Sequence, residues 1–323
     1  MRKNFLLFLK LFLLFVIFFW IIKSVNVNET FTVLTKINLF YFLLAFVLNN
    51  LSNLFLTIKW YRLALPLKIQ SDFFNLLKLN YISIFYSSLI PGQASGELIK
   101  GLKLTKSEGS SQKVWVPIFI DKITNLLIVF IIGFVAVLFD KDFRHNTSLV
   151  FIISFLTILL SFITIILFSD NTAKIAEFTK DSLARFLVLF KIKNELLNNF
   201  SLKYVEAYKK HDLLMLETLI WSLLIKLPHI FVFYILALSL NINLTVIESA
   251  WLFSIVSIVT LLPFSFSGLG IREGIIIVIL SRLGVETSSA LSLSILIFTV
   301  GILTALIGGI FELLSGLKEI KNK

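Results

Sequence analysis

The chain has no cysteine, so it forms no disulfide, carries no thiolate nucleophile and offers no sulfur ligand to a metal. Histidine is nearly as scarce. His145, His211 and His229 stand far apart, which argues against a histidine-based metal site. Long polar stretches are missing as well: the longest connector, Asp170 to Asp212, is far shorter than a soluble domain of roughly 100 residues. The start, Met1-Arg2-Lys3-Asn4 and then an apolar run to Ile22, has no small-x-small site before Lys23-Ser24. It reads as an uncleaved first span, about Phe5 to Ile22, in which Lys10 snorkels toward the interface.

What fills the space is apolar. With 58% hydrophobic residues and 34 phenylalanines, the chain falls outside the range of soluble domains and reads as an all-α, polytopic membrane helix bundle. A net charge of +11 suggests nucleic acid at first sight. The lysines sit in short connectors between apolar runs, however, where a positive-inside bias puts them, so the expected partner is the bilayer and not nucleic acid.

Taken in order, further full spans are expected at about Leu39 to Ile58, Trp115 to Phe139, Leu149 to Phe168, Leu213 to Leu240 and Ala290 to Leu314, about six in all with the first. The second ends at Lys59-Trp60-Tyr61-Arg62, read as a headgroup boundary, and its Asn49 and Asn53 face the protein interior. In the connector at 170–212, Leu183, Phe186, Leu187 and Phe190 share one face, giving either an interfacial amphipathic helix or an ordinary packed one on the cytoplasmic side. Gly301, Ala305 and Gly308-Gly309 make a small-residue face on the last span. The expected location is the plasma membrane, with both termini cytoplasmic.

Two segments do not read as plain spans. Leu89 to Lys100 contains Pro91, Gly92, Ser95, Gly96, Glu97 and Lys100, and an echo at 262–274 contains Pro263, Ser265, Ser267, Gly268, Gly270, Arg272 and Glu273. Each breaks an apolar run, and the lysine-rich connectors on both sides of the first favour a re-entrant segment over a crossing one. The odd number of spans between them predicts entry from opposite faces, an inverted repeat within one transmembrane domain covering 1–323: a first half at about 39–139 and a second at about 213–314. Each helix that restarts after a proline exposes N–H groups and a positive dipole end, an anion site to which Lys100 and Arg272 add charge. Glu97 and Glu273 balance those bases or meet a cationic headgroup; the alternative is a purely structural pairing. Asp121, Lys122, Lys226 and His229 are further ionisable residues within apolar runs, candidates for a substrate pathway or for simple packing pairs.

The run from Lys59-Trp60-Tyr61-Arg62 through Pro91-Gly92 and Ser95-Gly96-Glu97 to Lys100, then Asp121-Lys122, Pro263 to Gly274 and Gly308-Gly309, resembles the lysylphosphatidylglycerol synthase transmembrane-region family of flippase-like proteins. Ser95 stands where the family pattern has a glycine, Glu97 where it has an aspartate and Lys122 where arginine is commoner. The second motif is nearly intact. The resemblance implies a lipid-handling membrane domain without the soluble aminoacyl-transferase domain of the two-part relatives. The expected function is a transporter or flippase of a phosphate-bearing lipid (a phospholipid, an aminoacyl-lipid or a polyprenyl-linked lipid), with no cofactor and no metal. One alternative is a membrane glycosyl- or phospho-transferase, although no Asp-x-Asp pair lies beside the breaks. Another is a noncatalytic partner of a soluble lipid-modifying enzyme.

Overall fold

The computed structural model describes residues 26–90, 95–109, 111–140, 213–260 and 268–321, with a few positions at 154, 156–159, 161–162 and 208. The expected first span, most of that at Leu149 to Phe168, nearly all of the connector at 170–212, and Pro91, Gly92, Pro263, Ser265 and Ser267 lie outside the described residues. Those residues form an all-helical bundle in the order α1 (Val27–Thr35), α2 (Leu39–Ala64), α3 (Phe73–Leu89), α4 (Ser95–Glu108), α5 (Ser111–Phe139), α6 (Leu214–Ser239), α7 (Val246–Thr260), α8 (Ile271–Arg282) and α9 (Thr287–Lys321).

Length separates two kinds of helix. Four stretches, Leu39–Ala64, Lys113–Phe139, Leu214–Ser239 and Thr287–Ser315, are long and apolar enough to cross a bilayer. With α3 at 17 residues and α4 at 14, each rises only about 21 to 25 Å, less than a hydrocarbon core of about 30 Å. α7 and α8 are of similar size, at 15 and 12 residues. Local chemistry sets the starts: Asp72 accepts from the amide of Asn75 at the head of α3, and Thr245 and Glu248 cap each other's amides at the head of α7.

α3 and α4 form an antiparallel hairpin. At its base Gln70 N–H donates to Glu108 (2.9 Å), halfway up Lys100 Nζ donates to Asn80 (2.5 Å), and near the tip Gly96 N–H donates to Ser87 Oγ (3.2 Å). A steadily falling partner number fits a chain that turns back on itself. Gly96 allows the approach, because a Cβ there would overlap the carbonyl of Ser83.

The helices of 39–139 and those of 214–321 pack alike. α2 lies on α6, α3 on α9 as α7 on α5, α4 on α5 as α8 on α9, and α2 on α3 as α6 on α7. The leading helices run antiparallel: Ser52 reaches Ile225, Lys59 reaches Ser222 and Arg62 reaches Glu217. Glycine serves at matching contacts, with Gly308 of α9 against the Tyr81 carbonyl of α3 and Gly133 of α5 against Ser254 of α7. The largest apolar core, around Trp251, Leu252, Leu236, Ile276, Leu280 and Leu293, joins α6, α7, α8 and α9.

One boundary differs from the sequence expectation. α2 continues past Ile58 to Ala64, and Lys59 and Trp60, read as headgroup residues, are buried at 0% and 2% exposure, while Tyr61 and Arg62 are exposed. The reason is helical phase: Lys59 falls seven residues after the buried Ser52, and Trp60 seven after Asn53 and three after Thr57, so both turn toward the protein interior.

The hairpin makes a direct prediction. Gly96→Ala is expected to destabilise the protein by about 1 to 3 kcal/mol through overpacking against the Ser83 carbonyl. Gly301→Ala, with nothing within 4 Å of its Cβ position, is expected to be neutral or slightly stabilising. Thermal unfolding in detergent tests both, and equal midpoints for the two variants would contradict the packing.

Candidate functional site

A cavity of about 450 Å³ lies between α2, α3, α4, α5, α6, α7 and α9. Its wall is partly polar, with Asn49, Asn53, Glu97, Asp121, Lys122, Asn125, Lys226 and His229 among the lining residues. A volume of this size accommodates a small polar molecule or a lipid headgroup. Apolar segments of the spanning helices surround it, so these polar groups sit where hydration is poor and pairing is required.

The central pair is Lys59 and Asp121. Lys59 Nζ lies 2.7 Å from Asp121 Oδ1 and also donates to Thr124 Oγ1 (2.9 Å) and Ser222 Oγ (2.7 Å). Asp121 further accepts from Trp60 Nε1 (3.3 Å) and Asn125 Nδ2 (2.9 Å). One ion pair thus ties α2, α5 and α6 together, with every Lys59 proton directed at an oxygen. Beside it Lys122 Nζ meets Glu97 Oε1 at 3.0 Å, linking α5 to α4. That contact is partly open, with Lys122 side-chain exposure at 39% and Glu97 at 31%.

Lys226 is different. It lines the cavity, yet among the described residues it has no hydrogen bond and no ion pair; Asp121, Glu97, Lys59 and Lys122 act on it only at Coulombic range. Three residues on, His229 follows Pro228, which supplies no N–H to the helix. Here the Ile225 carbonyl accepts from Ser52 Oγ (2.6 Å) and lies 2.8 Å from His229 Nδ1, so α2 is joined to α6 beside its proline. The imidazole stacks on Phe253 with ring centroids 5.8 Å apart. Among the described residues Asn125 Oδ1 is a buried acceptor with no hydrogen-bond partner.

The two bases first singled out at the breaks stand outside the lining. Lys100 is 3% exposed and donates to Asn80 Oδ1, with its Nζ 3.3 Å from the centroid of the Trp60 ring. Asn80 in turn donates to Thr57 Oγ1 at 2.8 Å. Arg272, at 8% exposure, pairs with the neighbouring Glu273 and reaches Ser294 Oγ at 3.1 Å. Glu273 also accepts from Gly270 N–H (2.5 Å), so the restarted helix end is capped by its own carboxylate. Gly268 and Gly270, with φ of +81° and +82°, supply a backbone that side chains resist. At the first break Ser95 Oγ donates to the Ile90 carbonyl (3.2 Å), which closes the turn.

The structure therefore brings Glu97, Asp121, Lys122, Lys226 and His229 into one cavity and seats Lys100, Arg272 and Glu273 in the packing around it. Sequence reasoning passed over Lys59, Trp60, Asn80, Asn125 and Ser222. A signal existed for the first of these: Asn49, Asn53 and Thr57 fall at i, i+4 and i+8 along one side of α2, and Ser52 and Lys59, seven residues apart, fall on the adjoining side, a polar sector too regular for lipid.

The family model described as the lysylphosphatidylglycerol synthase TM region matches residues 7–309. The chain belongs to that family, and with its apolar helices it is an integral, multi-pass membrane protein related to lipid handling. It is similar to a UPF0104 membrane protein of Pyrococcus horikoshii, 24% identical over 336 aligned positions that cover 97% of each chain. No solved structure matches.

The central pair predicts an asymmetry between single and double substitution. Lys59→Met leaves the Asp121 carboxylate buried without its cation and is expected to cost about 3 to 5 kcal/mol. Adding Asp121→Leu to that variant removes the stranded charge and is expected to recover much of the loss. Unfolding midpoints for the two singles and the double decide it; additive losses would show that the two side chains do not stabilise each other.

Proposed function

We propose that this protein moves a phosphate-bearing lipid across the membrane, carrying the headgroup through the central cavity while the acyl or polyprenyl tail stays in the bilayer. The observation that carries the reading is Lys226, which has no hydrogen bond and no ion pair among the described residues and stands on the partly polar wall of a cavity to which all four helices long enough to span contribute. A headgroup crossing hydrocarbon loses its water, and a slow passage follows unless protein groups replace it. Lys226, the opened Lys122 and the amides of Asn49 and Asn53 supply donors for phosphate oxygens. Glu97, released from Lys122 as the phosphate takes its place, is free to meet an amine where the headgroup has one.

The family supports lipid handling as the setting, and the packing supports a route. Two halves with the same helix contacts and antiparallel leading helices are the arrangement of an inverted repeat, in which one packing reproduces the other after exchange of the halves. In this reading the α3–α4 hairpin and the α7–α8 pair act as the moving gates, and the cavity opens alternately to the two faces. The ends of α2 and α6 that meet at Leu63, Leu214 and Tyr208 face the cytoplasm of the plasma membrane, because the basic stretches Arg62 to Lys68 and Lys103 to Lys113 are attached there.

Reconstitution into vesicles with a fluorescent phospholipid on both leaflets tests the proposal, with a membrane-impermeant quencher reading the translocated fraction. The protein is expected to speed translocation over empty vesicles. Lys226→Ala is expected to slow it by about tenfold or more, the loss of one charged hydrogen bond, with the unfolding midpoint unchanged, and Lys226→Arg to retain most of it. Rates equal to those of empty vesicles for every phosphate lipid tried would sink the reading.

A further inference from the structure

Charge balance around the cavity says more about the headgroup than the presence of a cation does. Four lysines, Lys59, Lys100, Lys122 and Lys226, interact with only two carboxylates, Glu97 and Asp121. Both carboxylates are engaged. Asp121 is held by Lys59, Trp60 and Asn125, and Glu97 by Lys122. Two lysines are left over: among the described residues Lys226 has no bonded partner, and Lys100 has the neutral Asn80 amide and the Trp60 ring but no carboxylate.

The second break holds no such surplus. Arg272 is balanced by Glu273 on the adjacent residue, and the pair is closed by Ser294 and by the Phe298 ring 5.0 Å from the guanidinium. The excess of two lysines over carboxylates is thus found on one set of elements, α2, α4, α5 and α6, around a cavity large enough for a ligand. Uncompensated cations in a poorly hydrated interior are costly, and an anion of matching charge relieves that cost.

We propose that the cavity is built for a lipid headgroup that carries two negative charges on its phosphate, a terminal phosphomonoester or a diphosphate, in preference to a singly charged phosphodiester. Lys226 contacts the phosphate oxygens directly. Lys100 acts from behind the wall, its charge adding to the potential in the cavity while Asn80 and Trp60 hold it in place. Lys122 exchanges Glu97 for the ligand. The inference rests on the transport reading for its use of a lipid, but it concerns binding and is tested without transport.

The experiment is titration calorimetry on the purified protein in an uncharged detergent at roughly pH 7, above the second phosphate pKa near 6, so that a monoester is mostly doubly charged while lysine protonation is favoured. The probes are dioctanoylphosphatidic acid, dioctanoylphosphatidylglycerol and inorganic phosphate. Phosphatidic acid is expected to bind about tenfold more tightly than the diester, a difference of about 1.4 kcal/mol. Lys226→Gln is expected to erase that preference and Lys226→Arg to keep it, with both variants matching the parent in thermal unfolding. Equal affinity for monoester and diester would overturn the proposal and leave lipid translocation standing. Inorganic phosphate that binds as tightly as the monoester lipid would also overturn it, since the site would then belong to a free ion.

Discussion

The Lys59–Asp121 pair is the constraint on which the rest of the interior depends. A charge in the middle of a membrane protein is costly unless a counter-ion and hydrogen bonds are in place, and at this pair all of them are. Lys59 finds Asp121, Thr124 and Ser222; Asp121 adds Trp60 and Asn125. Because these groups come from α2, α5 and α6, satisfying one lysine positions three spanning helices. It also fixes the wall against which Lys226, Lys122 and Glu97 are presented.

Around that anchor the two helix breaks have different consequences. The α3–α4 hairpin places Glu97 at the cavity and Lys100 just behind it, so the first break contributes charge to the site. The α7–α8 break spends its charges internally: Glu273 caps the amide of Gly270 and neutralises Arg272. Two segments that look alike in sequence therefore do different things. The helix contacts are shared between the halves, whereas the lysines without a carboxylate, Lys100 on α4 and Lys226 on α6, gather around the first break.

Much of the architecture was legible from the residues, since spans longer than the bilayer and shorter broken helices differ in apolar length alone. Asp121, Lys122, Lys226 and His229 also stood out, because an ionisable group in an apolar run needs an explanation. The roles of Lys100 and Arg272 were not legible. Reading a base nine residues after a proline shows that charge is near a break, but not whether Asn80, Trp60 or Ser294 will claim it first. Lys59 was misplaced at the headgroups for a related reason: a Lys-Trp-Tyr-Arg run suits an interface, and only helical phase shows that its first two members turn inward while the last two stay exposed. Positions separated by many residues in sequence, such as Lys59 and Ser222, meet only through tertiary packing.

The central claim is that a positive charge at position 226, facing the cavity, is what the translocated headgroup meets. The absence of native cysteine permits a direct measurement: Lys226→Cys, reconstituted in vesicles, reacted with either an aminoethyl or a methyl thiosulfonate. The account predicts that the unreacted and methylated proteins are slow and that the aminoethyl adduct, which restores an ammonium at nearly the length of lysine, recovers translocation. Recovery that is equal with both reagents, or absent with the aminoethyl group despite complete modification, would contradict it.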